Sequence, residues 1–335
     1  MPPFSPLPLS LAELHNMENY FSYTPGQFTM VSGLLTLGYG AFLATLVFSL
    51  LTLNGFAPRY RCAGVLSSMV AATAGFILYR EANLWQATFS LNEQTQMYVR
   101  NPGQLYSNTY RYVNWLITVP LLVTTLAVVV PQNSRDDRRR TGAVMVTSGI
   151  AMVVCSWIGA FFETNAHDEG LSTTGFWISY VLGWVFYVVL LATVLKVLAA
   201  GARLAPSAGP MLNRLKLLFL TAWTLYAVVL LQPLFWWSAD SVVVRQGLFT
   251  IADITSKAVY GVMIGQLAIQ LARREPNLPD PHAYVDEKHA PDTVTASSGT
   301  NVGVPADYAT VRPETVAAGA AAGGHAPIVT PPATA

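Results

Sequence analysis

Charged residues are scarce in this sequence. Of its 335 residues, 11% are Asp, Glu, Lys or Arg, whereas 53% are hydrophobic. Soluble domains carry about a quarter charged residues, so this deficit indicates an integral membrane protein. The formal net charge of +1 gives no sign of a surface that binds nucleic acid. We therefore expect the lipid bilayer to be a partner of the chain and expect no nucleic acid partner.

Cysteine is also rare, with Cys62 at a helix entrance and Cys155 inside a hydrophobic run. A free cysteine usually behaves as a small buried hydrophobic residue, so we expect neither a disulfide nor a metal site. Residues 1–21 lack Lys and Arg and contain no long apolar core. This composition argues against a cleaved signal peptide.

Long hydrophobic runs, by contrast, are abundant. A bilayer core of about 30 Å takes about 20 helical residues, and seven runs meet that length. They lie near 27–53, 62–84, 106–130, 141–163, 174–200, 212–236 and 246–272. The sequence therefore predicts an all-α membrane protein, a seven-transmembrane helix bundle in the cell membrane.

The connecting segments predict its orientation, because short cytoplasmic loops are enriched in Lys and Arg. The regions around the first, third and fifth connections, together with the start of the tail, are rich in basic residues: Arg59, Arg61, Arg135, Arg138, Arg139, Arg140, Lys196, Arg203, Arg214, Lys216, Arg273 and Arg274. The second and sixth connections hold Arg100 and Arg245, and the fourth, at 164–173, has Asp168 and Glu169. We expect the N-terminus outside and the C-terminus in the cytoplasm.

The chain divides by composition into three parts. Residues 1–26 are an extracellular N-terminal segment, and residues 27–272 form the seven-helix domain. Residues 273–335 are rich in Ala, Thr, Pro and Gly, which predicts a disordered cytoplasmic tail. The polar stretch at 85–105, between the second and third runs, is expected to form an external hairpin.

The seventh run contains two ionisable residues, Asp253 and Lys257, four positions apart. Each is costly inside a membrane, but together on one helix face they can pair. One interpretation is a structural ion pair. The other is a lysine that forms an imine with an aldehyde, with Asp253 as its counter-ion, since lysine is suited to imine chemistry.

The third run carries a polar stripe. In RYVNWLITVPLL, residues 111–122, Arg111, Asn114 and Thr118 are three and four positions apart and share one face. A polar stripe inside a membrane span usually faces the interior of the bundle. The stripe is therefore a candidate for the second half of a site built around Lys257.

These two motifs, RYVNWLITVPLL and DITSKAVYG, resemble the third and seventh helices of the microbial (type I) rhodopsins. The resemblance covers about 27–272. It implies that Lys257 carries all-trans retinal and that Asp253 is the counter-ion. The resemblance further implies a retinal pocket formed by Trp115, Pro120, Trp223 and Tyr226. The chain departs from the family pattern at Ala227, where many members have Pro, and at Leu230, where a further Trp is expected.

A third departure concerns proton transfer. Proton-pumping relatives have an Asp at the position of Asn114 and often a carboxylic donor at the position of Thr125. Near neutral pH an amide cannot act as a base and a threonine hydroxyl cannot act as an acid, so outward proton pumping is not expected. The triplet Asn114, Thr118 and Thr125 resembles the Asn-Thr-Gln triplet of bacterial chloride-pumping rhodopsins. We therefore expect a halide beside Asn114 and Thr118, attracted by Arg111, and inward transport of chloride or another small anion past Thr125.

Other functions stay open. A Thr at the third position of the triplet also occurs in photochromic relatives, so one alternative is a sensory photoreceptor that pumps nothing. Inward proton transfer is another alternative. An enzyme that works through a lysine imine is a remote alternative of a different class, and we expect no enzyme. Self-association into a homo-oligomer is left open. Near the outer end of the second run, Arg80 and Glu81 are expected to reach the interface, unless one joins an extracellular gate.

Overall fold

The computed structural model describes residues 16–167 and 171–274. Within them, seven helices are long and apolar enough to cross a membrane, which confirms the predicted bundle. The helices are α1 Pro25–Gly55, α2 Pro58–Thr88, α3 Thr109–Val129, α4 Arg135–Ala160, α5 Thr174–Leu204, α6 Pro206–Phe235 and α7 Ala239–Arg274. The chain divides into Met1–Val285, which includes all seven, and Asp286–Ala335. Asp168, Glu169 and the predicted disordered tail from Glu275 onward lie outside the described residues.

The start of α4 lies about two turns before the predicted one. Ser134 caps the helix by accepting a hydrogen bond from the backbone N of Asp137 at 3.0 Å. Asp136 and Asp137 then occupy the first turn, where negative charge favours the helix dipole. The hydropathy of the sequence identifies only the apolar part of a helix, so it places this charged first turn in the preceding loop.

The start of α7 is also earlier, because Ser238 caps the helix by accepting from the backbone N of Ser241 at 3.2 Å. Arg245 was predicted in an outside loop, and that placement is wrong. It lies inside α7, and its side chain is fully buried. The ion pairs described below compensate its charge, which is why a hydrophobicity pattern alone could not include it in the helix.

A β-hairpin connects α2 and α3, as the polar stretch at 85–105 predicted. Strands β1, Phe89–Asn92, and β2, Met97–Arg100, pair in antiparallel register. Residues 16–24, here the N-terminal segment, fold against this hairpin through a two-way backbone pairing of Tyr23 with Tyr98. We call this side of the bundle the hairpin end, and the predicted orientation makes it extracellular.

Successive helices pack on each other, and α1 also packs on α7, which closes the ring around a common interior. Small residues allow close approach, as at Gly149 of α4, where an added Cβ would lie 2.8 Å from Val119 of α3. Large apolar side chains such as Leu51 and Phe235 point outward and are mostly exposed. Outward apolar residues around a polar interior are the pattern of a bundle that faces lipid.

Candidate functional site

The helix α7 changes its geometry at its two ionisable residues. Residues Ile254–Val259 form a π-helical turn, which contains Lys257 and directly follows Asp253. Such turns are rare and often occur at functional sites. The Nζ of Lys257 donates to Oδ1 of Asp253 and to the hydroxyl of Tyr226, the latter at 3.1 Å. Asp253 and Lys257 are therefore paired inside the bundle.

The carboxylate of Asp253 is completely buried and accepts from four side chains. Besides Lys257, its Oδ1 accepts from the hydroxyl of Tyr226 at 2.7 Å and from Nε1 of Trp115 at 3.2 Å. Its Oδ2 accepts from Nη1 of Arg111 at 3.1 Å. A buried carboxylate remains charged only when it is paired and hydrogen-bonded in this way. Asp253 is thus a fixed negative charge next to Nζ of Lys257.

An apolar cavity borders Lys257 in the interior of the bundle. It is lined by Trp115, Val119, Leu122, Met152, Val153, Ser156, Tyr180, Gly183, Trp184, Tyr187, Trp223, Tyr226, Ala227, Leu230, Ser256 and Lys257. Three of the four predicted pocket residues, Trp115, Trp223 and Tyr226, are in this lining, and Pro120 is not. The rings of Trp115 and Tyr226 meet edge to face, with centroids 4.8 Å apart.

One wall of the cavity was not predicted from the sequence; it consists of Tyr180, Trp184 and Tyr187 of α5. Their spacing of four and three residues places them on one helix face and was a usable signal. The hydroxyl of Tyr187 lies 2.7 Å from Oγ1 of Thr224, and that of Tyr180 donates to the carbonyl of Ala227 at 3.2 Å. These bonds fix the wall of α5 against α6.

Asn114 and Thr118 of the predicted stripe are both fully buried, but they differ in their hydrogen bonds. The hydroxyl of Thr118 donates to the carbonyl of Asn114 at 2.8 Å, and Thr125 donates to the carbonyl of Leu121 at 2.7 Å. Threonine in an apolar helix often bonds to its own backbone in this way. Neither polar atom of the Asn114 side chain has a hydrogen-bond partner among the described residues. One free donor group therefore remains, rather than the two expected.

Arg111 lies one turn from Asn114 toward the hairpin end, and its guanidinium contacts three side chains. Nη2 donates to Oε1 of Gln246 at 2.8 Å, Nη1 binds Asp253, and Nε lies 3.0 Å from Oε2 of Glu81. Glu81 is completely buried, so it belongs to this network and not to the membrane interface. The sequence left two placements open for Glu81, the membrane interface and an extracellular gate network. Its burial fits the network, because Arg111 provides the charge that allows burial.

Arg80 behaves differently from its neighbour. It is exposed and donates to the hydroxyl of Tyr110 at 2.9 Å, with its guanidinium 4.3 Å from the centroid of the Tyr110 ring. Adjacent residues of a helix point about 100° apart, which explains how one side chain turns outward and the other inward. The outward direction of Arg80 is therefore consistent with the expected contact with the membrane interface, and the burial of Glu81 is not.

A second buried charge cluster, missed in the sequence, lies closer to the hairpin end. Arg245 forms a two-point ion pair with Glu163, at 2.9 and 2.6 Å, and also contacts Glu18 at 3.3 Å. Nε2 of Gln246 donates to Oε1 of Glu18 at 2.9 Å, so Gln246 joins the two clusters. Burial raises the pKa of the Glu163 carboxyl above its usual range, although Arg245 opposes the shift.

Comparison with known proteins gives a consistent family. The model of the bacteriorhodopsin-like protein family matches residues 29–271. Archaerhodopsin-3 of Halorubrum sodomense is 26% identical over 176 residues, which are 52% of this chain and 63% of the relative. Archaerhodopsin-2 of Halobacterium sp. (strain aus-2) is 27% identical over 186 residues, 54% of this chain and 64% of the relative. The match thus spans somewhat less than two thirds of these curated relatives.

Solved structures agree in fold. Xanthorhodopsin, described as a light-driven ion pump with dual chromophore, superimposes with a TM-score of 0.68 at 28% identity, covering 76% of this chain and 98% of its own. Halorhodopsin, described as a light-driven chloride pump, superimposes with a TM-score of 0.55 at 16% identity, covering 74% of this chain and 97% of its own. At that identity, the second likeness concerns the fold alone.

Proposed function

We propose that this chain, which belongs to the bacteriorhodopsin-like proteins, is a light-driven inward transporter of a small anion. Membership of this family implies a retinal chromophore bound to a lysine. The same membership makes it a multi-pass membrane protein and excludes the enzyme that works through a lysine imine. The proposal has two parts: which lysine carries the retinal, and what the site moves. The second part follows from Asn114.

Lys257 is the lysine that we propose for the retinal. Its Nζ borders a cavity with apolar and aromatic walls, which fits a long apolar aldehyde bound as an imine. All-trans retinal bound there supplies the absorption of visible light and a light-driven change of shape. Asp253 stabilises a positive charge on Nζ, while Trp115 and Tyr226 hold its carboxylate in position. The aromatic walls exclude water and so strengthen this charge pairing.

The unpartnered amide of Asn114 is the observation that carries the anion proposal. A buried polar group without a hydrogen bond costs about 1–3 kcal/mol, so such a group is usually explained by a bound species or a function. Its N–H group can donate to a halide. Arg111, one turn away on the same face of α3, is the cation that would attract an anion toward this donor, and Glu81 is already paired with it. A halide bound to Nδ2 satisfies the donor.

Proton transport in the usual outward direction is not supported by the same face of α3. Asn114 cannot accept a proton and Thr125 cannot donate one near neutral pH. Thr125 is buried and lies three turns from Asn114, away from the hairpin end. With the hairpin end outside, an anion that leaves Asn114 along this face moves inward past Thr125.

Light-induced pH changes in cells that express the protein test the direction and the ion. In chloride, inward anion transport makes the cell interior negative and draws protons in, so external pH rises and rises further with a protonophore. In sulfate the signal is absent. Asn114→Ala should abolish the chloride response, whereas Asn83→Ala, an exposed amide that donates to its own helix, should keep it. Equal traces in chloride and sulfate would exclude anion transport, and a signal that a protonophore collapses would indicate inward proton transport instead.

One observation favours a second function, a photoreceptor that transports nothing. Glu81 already places a negative charge on Arg111, so the positive charges near Asn114 have partners without an anion. For such a receptor, illumination changes the absorption spectrum but moves no ions in either salt. Absorption spectra that are identical in chloride and sulfate, together with unchanged pH in both, would support this second function.

A further inference from the structure

The charges around Asp253 are balanced before any anion enters. Two positive groups, Arg111 and a protonated nitrogen on Lys257, face two negative ones, Asp253 and Glu81. All four side chains are buried, so water screens them little. An added halide beside Asn114 brings a third negative charge into a space that holds two positive ones. Such an excess of buried charge is strongly unfavourable unless one group changes its protonation state.

We infer that Glu81 binds a proton when an anion enters beside Asn114, so that anion binding is coupled to the uptake of one proton. This inference rests on the proposed anion site at Asn114. In the step, the anion and one proton both enter from solvent, and the carboxylate of Glu81 becomes a neutral carboxylic acid. No other bond is made or broken. The net charge of the site is then the same before and after binding.

Among the buried carboxylates of the described residues, Glu81 has the fewest contacts that stabilise its charged form. Asp253 accepts four hydrogen bonds, and Glu163 makes two contacts with Arg245. Glu81 has a single ion pair with Nε of Arg111, and neither of its oxygens makes a well-directed hydrogen bond among the described residues. Because Arg111 keeps Asp253 and Gln246 as partners, a neutral Glu81 does not leave the arginine unpaired.

The groups that face Glu81 come from three directions. They are Arg111 of α3 with Tyr106 just before it, Asp253 and Lys257 of α7, and Glu18 of the N-terminal segment. Tyr39 of α1 packs on Tyr79 instead, and Arg80 turns outward to Tyr110. Two of the facing groups, Asp253 and Glu18, are carboxylates whose repulsion favours a neutral Glu81. An incoming anion adds to this repulsion, which is the physical basis of the coupling.

The coupling predicts a pH dependence of anion affinity. If one proton is taken up per anion, the apparent Kd for chloride rises tenfold per pH unit wherever Glu81 is charged in the anion-free protein. Chloride titrations of the retinal-loaded protein between pH 5 and pH 9, followed by the shift of its absorption maximum, measure this slope. Glu81→Gln should bind chloride with the affinity of the wild type at low pH and without a slope. Glu93→Gln, which changes an exposed carboxylate of the hairpin, should keep the wild-type slope.

A second measurement uses only the wild-type protein, in case Glu81→Gln does not fold. Chloride added in the dark to a weakly buffered sample should raise the pH of the sample, because each protein takes up as much as one proton. Sulfate should not raise the pH. If chloride shifts the spectrum with the same Kd at every pH and no proton is taken up, the role of Glu81 is overturned while the anion site stands. If chloride has no effect on the spectrum or on the pH under any of these conditions, the anion site at Asn114 and the coupling both fail.

Discussion

Four donors meet at the carboxylate of Asp253, and they come from α3, α6 and α7. Lys257 depends on this one residue for its negative partner, since the only carboxylate that contacts its Nζ is that of Asp253 among the residues described. A buried cation without a partner tends to lose its proton. The colour of the protein should therefore be sensitive to Asp253 in particular.

The variant Asp253→Asn tests the role of this carboxylate. We expect the visible absorption band to convert to a near-ultraviolet band at a lower pH than in the wild type, because the nitrogen on Lys257 loses its counter-ion. A spectrophotometric pH titration of the retinal-loaded protein measures this. Asp240→Asn, at an exposed carboxylate that accepts from Gln27, is the matched control and should titrate as the wild type does. Overlapping curves for Asp253→Asn and the wild type would assign the counter-ion to another group.

The attachment of retinal is tested at Lys257. Because the imine needs a primary amine, Lys257→Ala purified after growth with retinal should lack visible absorption completely. Lys196→Ala removes an exposed lysine of α5 and should leave the colour unchanged. A visible band in Lys257→Ala that survives removal of free retinal would refute the assignment.

The residues of the site differ in how far the sequence could predict them. Lys257 and Asp253 lie four apart in one helix, so their pairing follows from local geometry. For Glu81 the sequence allows both the membrane interface and the buried network, because it does not give the angle at which α2 faces Arg111. Glu18 and Glu163 were missed, since their partner Arg245 is 227 and 82 residues away along the chain.

At the scale of the elements, the number of spans could be predicted, but the starts of α4, α6 and α7 could not. The apolar runs identify seven helices because each must bury its backbone hydrogen bonds in lipid. The true starts of α4 and α7 depend on the caps Ser134 and Ser238, which act outside the apolar runs. In α7 this shift matters for function, because its extra turns contain Arg245.

The contacts of Arg245 join three elements: α7, the N-terminal segment through Glu18, and the connection after α4 through Glu163. Arg245→Gln leaves these two buried carboxylates without their cation, so we expect it to lower the free energy of unfolding by about 3–5 kcal/mol. Thermal unfolding in detergent measures the loss. Arg100→Gln, at a half-buried hairpin residue that donates to the carbonyl of Gln104 at 3.2 Å, is the control outside the cluster and should change stability little.

A double variant separates charge from packing in the same cluster. In Arg245→Gln/Glu163→Gln, one of the two uncompensated carboxylates is also neutral, so a substantial part of the lost stability should return. If the double variant is as unstable as the sum of the single variants, the loss comes from packing around Arg245 and not from uncompensated charge.

At the scale of the whole molecule, Glu163 links folding to pH. Burial raises the pKa of its carboxyl, whereas the unfolded chain has the ordinary value of about 4.3. Between these values the folded protein binds more protons than the unfolded chain. The contribution of Glu163 to stability is therefore fully present below about pH 4.3 and is lost as the pH rises through the raised value.

This sign gives a testable difference between two variants. Glu163→Gln cannot titrate, so its stability relative to the wild type should improve as the pH rises from about 4 to about 8. Glu93→Gln should keep a constant difference from the wild type, because Glu93 is exposed. Melting temperatures of both variants across this range provide the comparison. A difference that does not change with pH for Glu163→Gln would contradict the raised pKa.

The five buried ion pairs described above all lie between the middle of the bundle and the hairpin end. In mechanical terms, the helices of the bundle are cross-linked at one end only. Ion pairs and the N-terminal segment connect the helices at the hairpin end. Many hydroxyls along the helices, such as those of Thr118 and Thr125, instead donate to the backbone of their own helix and connect nothing else. A change of shape at Lys257, which lies near the edge of the ion-paired region, should therefore displace the helix ends that are far from the hairpin. With the hairpin end outside, the largest helix displacements after illumination are expected on the cytoplasmic side.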